Sequence, residues 1–424
     1  MQAAASTDQP RRLTQAEADA VCARHERLWR AQPGGARAVF AWMDLTGLKF
    51  AGRNLADADF SGATLIGCDF TGAKLENATL FGADAREANF SNATLRRTDL
   101  RGACLRGSDL SGADLFEADL REGTLAAADS RIGYRLIQRA ERPADAQGVS
   151  LVGANLERSR LTGIIAVRAD FTDAIMRDCK LVRANLKQAT LSGADLAGSD
   201  LSGADLSGAD LTDAVLVGVK SEMWRTDGAN LAGALTDDKS AQPAVPPIVA
   251  AERLGQHARW CETNGAEGTP STFDDLDLRA LTSVRGFNLT ALSARRAIFY
   301  GLDMEGVKLQ GAHLEGADLR SCRLKGADLR GARLAKARLN GADLREAHLG
   351  PLVIGADRLL PCDLTGAILR GADLSGADLR HAVLAQADLR RARLLGALTR
   401  QADVTFAKLE GAIGAEALRD PPTA

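Results

Sequence analysis

From Leu45 to Leu125 nearly every fifth residue is Leu or Phe: Phe50, Leu55, Phe60, Leu65, Phe70, Leu75, Leu80, then Phe90, Leu95 and Leu100. A period of five fits neither the 3.6 of an amphipathic helix nor the 2 of a strand with one buried face. The rhythm resumes from Leu151 to Leu231 and returns from Leu289 to Leu409. Two residues before each Leu or Phe stands, in most units, Ala; one before stands Asp or Asn; the two that follow are polar or Gly. The unit is A-(D/N)-L-x-x. A side of this kind turns its central Leu or Phe and its small Ala inward. The inward Ala is needed because facing walls leave no space for a second large group. The outward positions remain free to be Asp, Arg, Ser or Thr.

The rest of the composition agrees with narrow, repetitive packing. In 424 residues only 4% are aromatic, and 42 are Gly, too few rings for two or three conventional cores. A formal charge of −2 does not mark the whole chain as a polyanion or a nucleic-acid binder, so charge arguments must be local. No apolar run is long enough to span a membrane and the first residues lack a leader-like apolar stretch. The expectation is a cytoplasmic protein without membrane insertion. Seven scattered Cys with no C-x-x-C pair indicate neither a disulfide framework nor a zinc site. Cys68, Cys179, Cys322 and Cys362 occupy the Ala slot and are expected in the core; Cys104, one before Leu105, is expected to point outward.

This repeat resembles the pentapeptide-repeat family. The resemblance implies an all-β solenoid, a right-handed quadrilateral β-helix, here with short capping α-helices: four five-residue sides close a square coil of about 20 residues, and coils stack at the roughly 4.8 Å strand spacing. Stacked coils leave unpaired edges only at their ends, and those ends need caps. Thr14-Gln-Ala-Glu17 is a capping-box pattern that opens a helix over about 15–31. A Pro-rich linker at 237–247 precedes a second helix over about 248–262. His25 with Trp29 and His257 with Trp260 recur at matching places and are expected to pack these helices onto the first coil beyond them. The chain is therefore expected to hold two helix-plus-rod modules, 13–236 and 248–424. The first is interrupted near 129–150, where the five-residue frame slips by one residue; a milder interruption surrounds Pro351 to Pro361.

A filled solenoid offers no concave, partly dry pocket for catalysis. The repeated Asp and Ser residues follow the repeat rule, and neither a nucleophile elbow nor a phosphate loop occurs. No enzymatic activity, cofactor or metal is expected. Partner binding is sought instead in the frame break, at Tyr134, Leu136 and Ile137, and in charge. From Leu289 to Leu409 there are 19 Lys+Arg against 13 Asp+Glu, while Leu45 to Leu125 is slightly acidic. If residues 20 apart stack, Asp318, Arg338, Arg358 and Asp378 share one column, and Asp373 and Arg393 another, with compensating signs. Arg370 and Arg390 with Arg330, and Arg380 with Arg400, form uncompensated positive ladders.

The sequence thus points to a non-enzymatic scaffold for protein partners. Two alternatives stay open. Some members of the family modulate or protect DNA gyrase by imitating the acidic contour of duplex DNA, a reading that the near-neutral total and the basic last block disfavour. The basic block could also bind nucleic acid or another anion, which the interleaved Asp and the lack of exposed stacking aromatics disfavour. The partner and the oligomeric state are not specified by the sequence.

Overall fold

The computed structural model describes residues 10–123, 126–129, 133–136, 143–237, 242–355 and 358–418, with only the backbone for 126–129, 133–136 and 417. Two compact units, Met1–Asp237 and Asp238–Ala424, divide the chain. In the first, Asp44 bridges in parallel to Thr64, Lys49 to Asp69, Asn54 to Lys74 and Asp59 to Thr79, the four sides of one 20-residue coil.

Five residues make a side because that length places every backbone amide. At the side centred on Phe70, the Phe70 N–H donates to Asn89 O at 2.7 Å and the Gly72 N–H to Ser91 O at 2.9 Å, both in the next coil. The Lys74 N–H donates back to Arg53 O in the preceding coil, and the Ala73 N–H closes the corner onto Phe70 O. The fifth amide, that of Thr71, donates to Asp69 Oδ1 at 3.0 Å. The Asp or Asn before each Leu is therefore a turn cap, its side chain holding the amide two residues on. The corner residue adopts positive φ, for example +61° at Gly72, where Gly carries no steric cost.

Inside, the Leu and Ala positions are almost fully buried in both units except in the last coil of each, where Leu231 is exposed and Ala229, Ala402 and Leu409 are half-buried. Phe50, Phe70 and Phe90 stack in one column at centroid spacings of 4.9 and 4.8 Å, and Phe40 stacks on Phe60 at 5.0 Å. Several polar residues in the Ala slot donate to a neighbouring coil's carbonyl: Cys68 Sγ to Leu45 O, Thr98 Oγ1 to Leu75 O, Ser199 Oγ to Met176 O; Ser108 Oγ donates within its own coil, to Leu105 O. Burial pushes the Cys68 and Cys179 thiols up to about 12 and raises those of Cys322 and Cys362 as well. Cys104 lies outward and half-exposed.

Each unit starts with a helix. Helix α1, Gln15–Trp29, has the full capping box between Thr14 and Glu17. Gln15 covers the bare edge of the first coil in the manner of a strand, its Nε2 donating to Lys49 O and its Oε1 accepting the Lys49 N–H. His25 is fully buried, and its Nδ1 accepts the Ala38 N–H at 3.1 Å. Its Nε2 makes no hydrogen bond, although the Ala56 backbone lies beside it. Helix α2, Pro247–Glu262, repeats the arrangement: His257 Nδ1 accepts the Ser271 N–H at 3.0 Å, and Nε2 lies 3.1 Å from Thr290 O. Because Nδ1 is an acceptor in both, the proton sits on Nε2, directed at a carbonyl in His257. Trp29, expected in the packing, is instead 52% exposed; it ends α1 and only its edge meets His25. Trp260 is half-buried, against Gly265.

The first interruption is an antiparallel hairpin of β1, Ala126–Asp129, with β2, Gly133–Leu136. It lies earlier than the 129–150 expected, since Ala144, Ala146 and Val149 are already back in the core. Asp119 consequently bridges to Arg160, 41 positions on, so the insertion adds one residue beyond a multiple of five. In the second unit β3, Leu352–Ile354, and β4, Arg358–Leu360, form another hairpin of ten-residue effect, with Arg333 bridging to Asp363.

Two outcomes test this packing. Ala204→Leu should overpack the interior and cost about 1–3 kcal/mol, whereas outward Asp205→Asn, which keeps the oxygen that caps the Ser207 amide and loses only the ion pairs to exposed Lys187 and Arg225, should cost under about 1 kcal/mol; equal shifts of the denaturant midpoint would contradict the inward slot. Burial also lowers the His25 and His257 pKa below 6.5. The unfolded chain then binds protons that the folded chain does not, so stability should be complete above about pH 6.5 and fall as pH drops below it. In the variant carrying His25→Gln and His257→Gln, midpoints between about pH 7 and 5 should slope less than in the native protein.

Candidate functional site

The Asp that caps each corner carries a second role wherever Arg follows the Leu. In Asp328-Leu-Arg330, Nε and Nη2 of Arg330 donate to the two oxygens of Asp328 at 2.9 and 2.6 Å. The same bidentate fork joins Asp99 to Arg101, Asp119 to Arg121, Asp343 to Arg345, Asp378 to Arg380 and Asp388 to Arg390. Residues two apart on one side share a face, and the planar guanidinium matches the carboxylate geometry. Hydrogen bonds from Arg380 hold the Asp378 carboxyl below its ordinary range.

These forks correct the expected ladders. The hairpin at 352–360 shifts the stacking, so that Asp328, His348 and Asp378 form one column. Arg330 therefore aligns through Gly350 with Arg380 and Arg400, not with Arg370 and Arg390. Arg358 leaves its expected column for β4, and Arg338 is followed by Ile368 and Asp388. Asp373 does bridge to Arg393. Arg370 and Arg390 do stack, but they share one carboxylate, Asp388, which takes Arg370 Nε at 2.6 Å and Arg390 Nη2 at 2.8 Å, so the pair is compensated only in part. Burial would raise the Asp388 carboxyl; the two guanidinia outweigh it and hold it at about 2. Arg400 makes no ion pair among the described residues. The fork was spelled in the sequence as Asp-Leu-Arg, a signal that reading charges only at intervals of 20 passes over.

Charge in the first unit is sorted by face. The column Asp69, Asn89, Asp109, Ser150, Asp170, Thr190, Asp210 occupies one side of seven successive coils. With Asp173 and Asp213 at its corners, that side carries six carboxylates and no Lys or Arg between 68 and 213. Asp109, Asp170 and Asp210 make no ion pair among the described residues. Hydroxyls of Thr71, Thr172 and Thr212 donate to the neighbouring Asp at 2.5–2.6 Å, and the Asp69 carboxyl is lowered chiefly by Thr71.

Tyr134 pairs across to Ala128 and Leu136 to Ala126 in backbone register; Ile137 lies outside the described residues. In the second hairpin Val353, Ile354 and Leu359 are exposed. Leu352 and Leu360 sit over Gly331, where a Cβ would lie 2.8 Å from Leu352 Cβ. Beside this hairpin a cleft of about 590 Å³ is lined by Asp328, Arg330, His348, Gly350, Pro351, Leu359, Asp378, Arg380 and His381. Among the described residues no group of three or more His, Cys, Asp or Glu is placed to hold a metal ion.

A family model for pentapeptide repeats matches in eight copies, over residues 44–80, 73–112, 144–178, 179–218, 312–350 and 362–396, just over half of the chain. The chain belongs to the pentapeptide-repeat family. No curated protein matches it. Among solved structures, HetL, a pentapeptide repeat protein involved in heterocyst differentiation regulation from the cyanobacterium Nostoc sp. strain PCC 7120, is 23% identical; the match covers 91% of this chain and 95% of HetL, with a TM-score of 0.19. QnrB1, a plasmid-mediated fluoroquinolone resistance protein, is 21% identical over 52% of this chain and 93% of its own, with a TM-score of 0.28. A pentapeptide repeat protein (Rfr23) from the cyanobacterium Cyanothece 51142 is 28% identical over 32% and 91%, with a TM-score of 0.21. No helix among the described residues of this chain is long and apolar enough to cross a membrane.

For this pentapeptide-repeat protein the Asp388 node is the testable element. Asp388→Asn should cost on the order of 2 kcal/mol at neutral pH. A depressed carboxyl contributes stability above its unfolded value of 3.8 and loses it as pH falls through about 2. The difference in denaturant midpoint between native and variant should therefore close over that acid range.

Proposed function

We propose that the protein is a non-enzymatic scaffold whose coils, wound right-handed as the family resemblance implies, present a flat acidic face to a protein partner with a basic surface. The observation that carries this reading is the side of the first unit that runs from 68 to 213 with six carboxylates and no base. Extended flat surfaces are what solenoids offer partners, and a one-signed face steers encounter and selects against like-charged proteins. Interiors filled by Leu and Ala support the absence of catalysis. The exposed second hairpin would add apolar contact area.

The same face favours a second reading, modulation of DNA gyrase by duplex mimicry, but magnitude argues against it. Seven rungs span about 30 Å, a length over which duplex DNA carries roughly 18 charges, three times what this face holds. Nucleic-acid binding by the second unit is disfavoured by the forks, which set a carboxylate beside Arg330, Arg370, Arg380 and Arg390 and so interrupt any continuous positive surface.

Affinity capture at low and high salt, comparing the native chain with one carrying Asp69→Asn, Asp109→Asn, Asp170→Asn and Asp210→Asn, tests the proposal. Asn keeps the oxygen that caps each turn, so circular dichroism should not change. The captured partner should bind the variant less tightly and with a flatter salt dependence. Unchanged capture would place binding on another face. Inhibition of gyrase supercoiling by the native chain alone would favour mimicry instead.

A further inference from the structure

The cleft of the second unit arises from a break in the repeat. His348 stands one coil from Asp328 on one side and from Asp378 on the other. Two residues after each of these the chain carries Arg330, Gly350 and Arg380. Gly350 leaves a notch between two guanidinia, two rises or about 10 Å apart along the stack. The notch is tight at its floor, since a Cβ on Gly350 would lie 3.3 Å from Asp378 Oδ2. Pro351 and Leu359 of the hairpin supply an apolar wall, and His381 completes the rim.

The donors in this cleft are unequally committed. Arg330 and Arg380 spend Nε and Nη2 on their carboxylates, which compensates Asp328 and Asp378. The remaining Nη1 of each, and the ring nitrogens of His348 and His381, make no hydrogen bond among the described residues. Four side chains thus offer unused N–H groups around one opening, with little net negative charge to repel an anion. Its volume is that of a small-molecule site.

We propose that this cleft binds a small organic oxyanion, a carboxylate or phosphate group on Arg330 and Arg380 with its apolar body against Pro351 and Leu359. The site is independent of the acidic face of the first unit. Adipate, phenyl phosphate and inorganic phosphate serve as probes for calorimetry and for proton NMR of the imidazoles in the full chain. Saturable binding should shift the His348 and His381 resonances. Tighter binding of adipate assigns a carboxylate ligand and of phenyl phosphate a phosphate ligand; inorganic phosphate should bind more weakly than phenyl phosphate. Arg330→Gln with Arg380→Gln should weaken the preferred probe at least about tenfold, one charge-assisted hydrogen bond or more. His348→Gln, at an exposed position, leaves the forks intact and should weaken it by a smaller factor, while Leu359→Ser should erase the advantage of phenyl phosphate over phosphate. Absence of saturable binding for all three probes, or binding that neither the Arg nor the His348 change alters, would overturn the proposal.

Discussion

Everything in this fold depends on placing five amides per side without a long strand. Three N–H groups reach neighbouring coils and one closes the corner, which leaves the amide after the central Leu or Phe with no carbonyl to meet. A buried or half-buried amide left unmade costs about 1–3 kcal/mol. Repeated over some fifteen coils that sum would exceed the whole stability of a typical domain. The Asp or Asn oxygen two residues earlier removes the deficit. The outward carboxylate is thus a structural requirement first and a surface charge second.

Surface electrostatics follow from how each side answers that compulsory charge. Arg two residues on folds back and cancels it locally, as in the second unit; Ser or Thr there accepts no such task and leaves the carboxylate exposed, as on the base-free face of the first unit. A total near zero therefore hides a segregated surface, because cancellation is decided side by side. The buried fork of Asp318 and Arg320 shows how far this goes: the Arg320 side chain is only 4% exposed, although it sits on the outside of a coil.

Period, inward slot and turn residue were legible because each repeats many times, and errors at one copy are outvoted by the next. Features occurring once were not. Stacking partners beyond 351 could not be assigned from intervals of 20, since a ten-residue hairpin changes which coil lies beneath; hence Arg358 was placed in a column it does not join. The Asp-Leu-Arg forks were written in the sequence, yet distance along the chain alone does not reveal that two residues on one side meet before residues on adjacent coils do. Trp29 carried the pattern of a packing residue, but it falls at the last position of its helix and is left half exposed.

The two starts show which details are required by the architecture. In each, a short segment adds a rung before the helix, Arg12 to Asp44 and Ala244 to Asp277. A buried His eleven residues after the N-cap then accepts an amide from the chain returning to the first coil. The N-caps themselves differ, a Thr capping box against a Pro with no side-chain bond, so the imidazole recurs where the way the helix starts does not. In His257 a neutral ring with an acceptor on one side and a donor on the other joins two backbone groups of opposite sense, Ser271 N–H and Thr290 O, whereas His25 makes only the first of these bonds. Lys or Arg offers no acceptor there, and a carboxylate would be buried with its charge uncompensated.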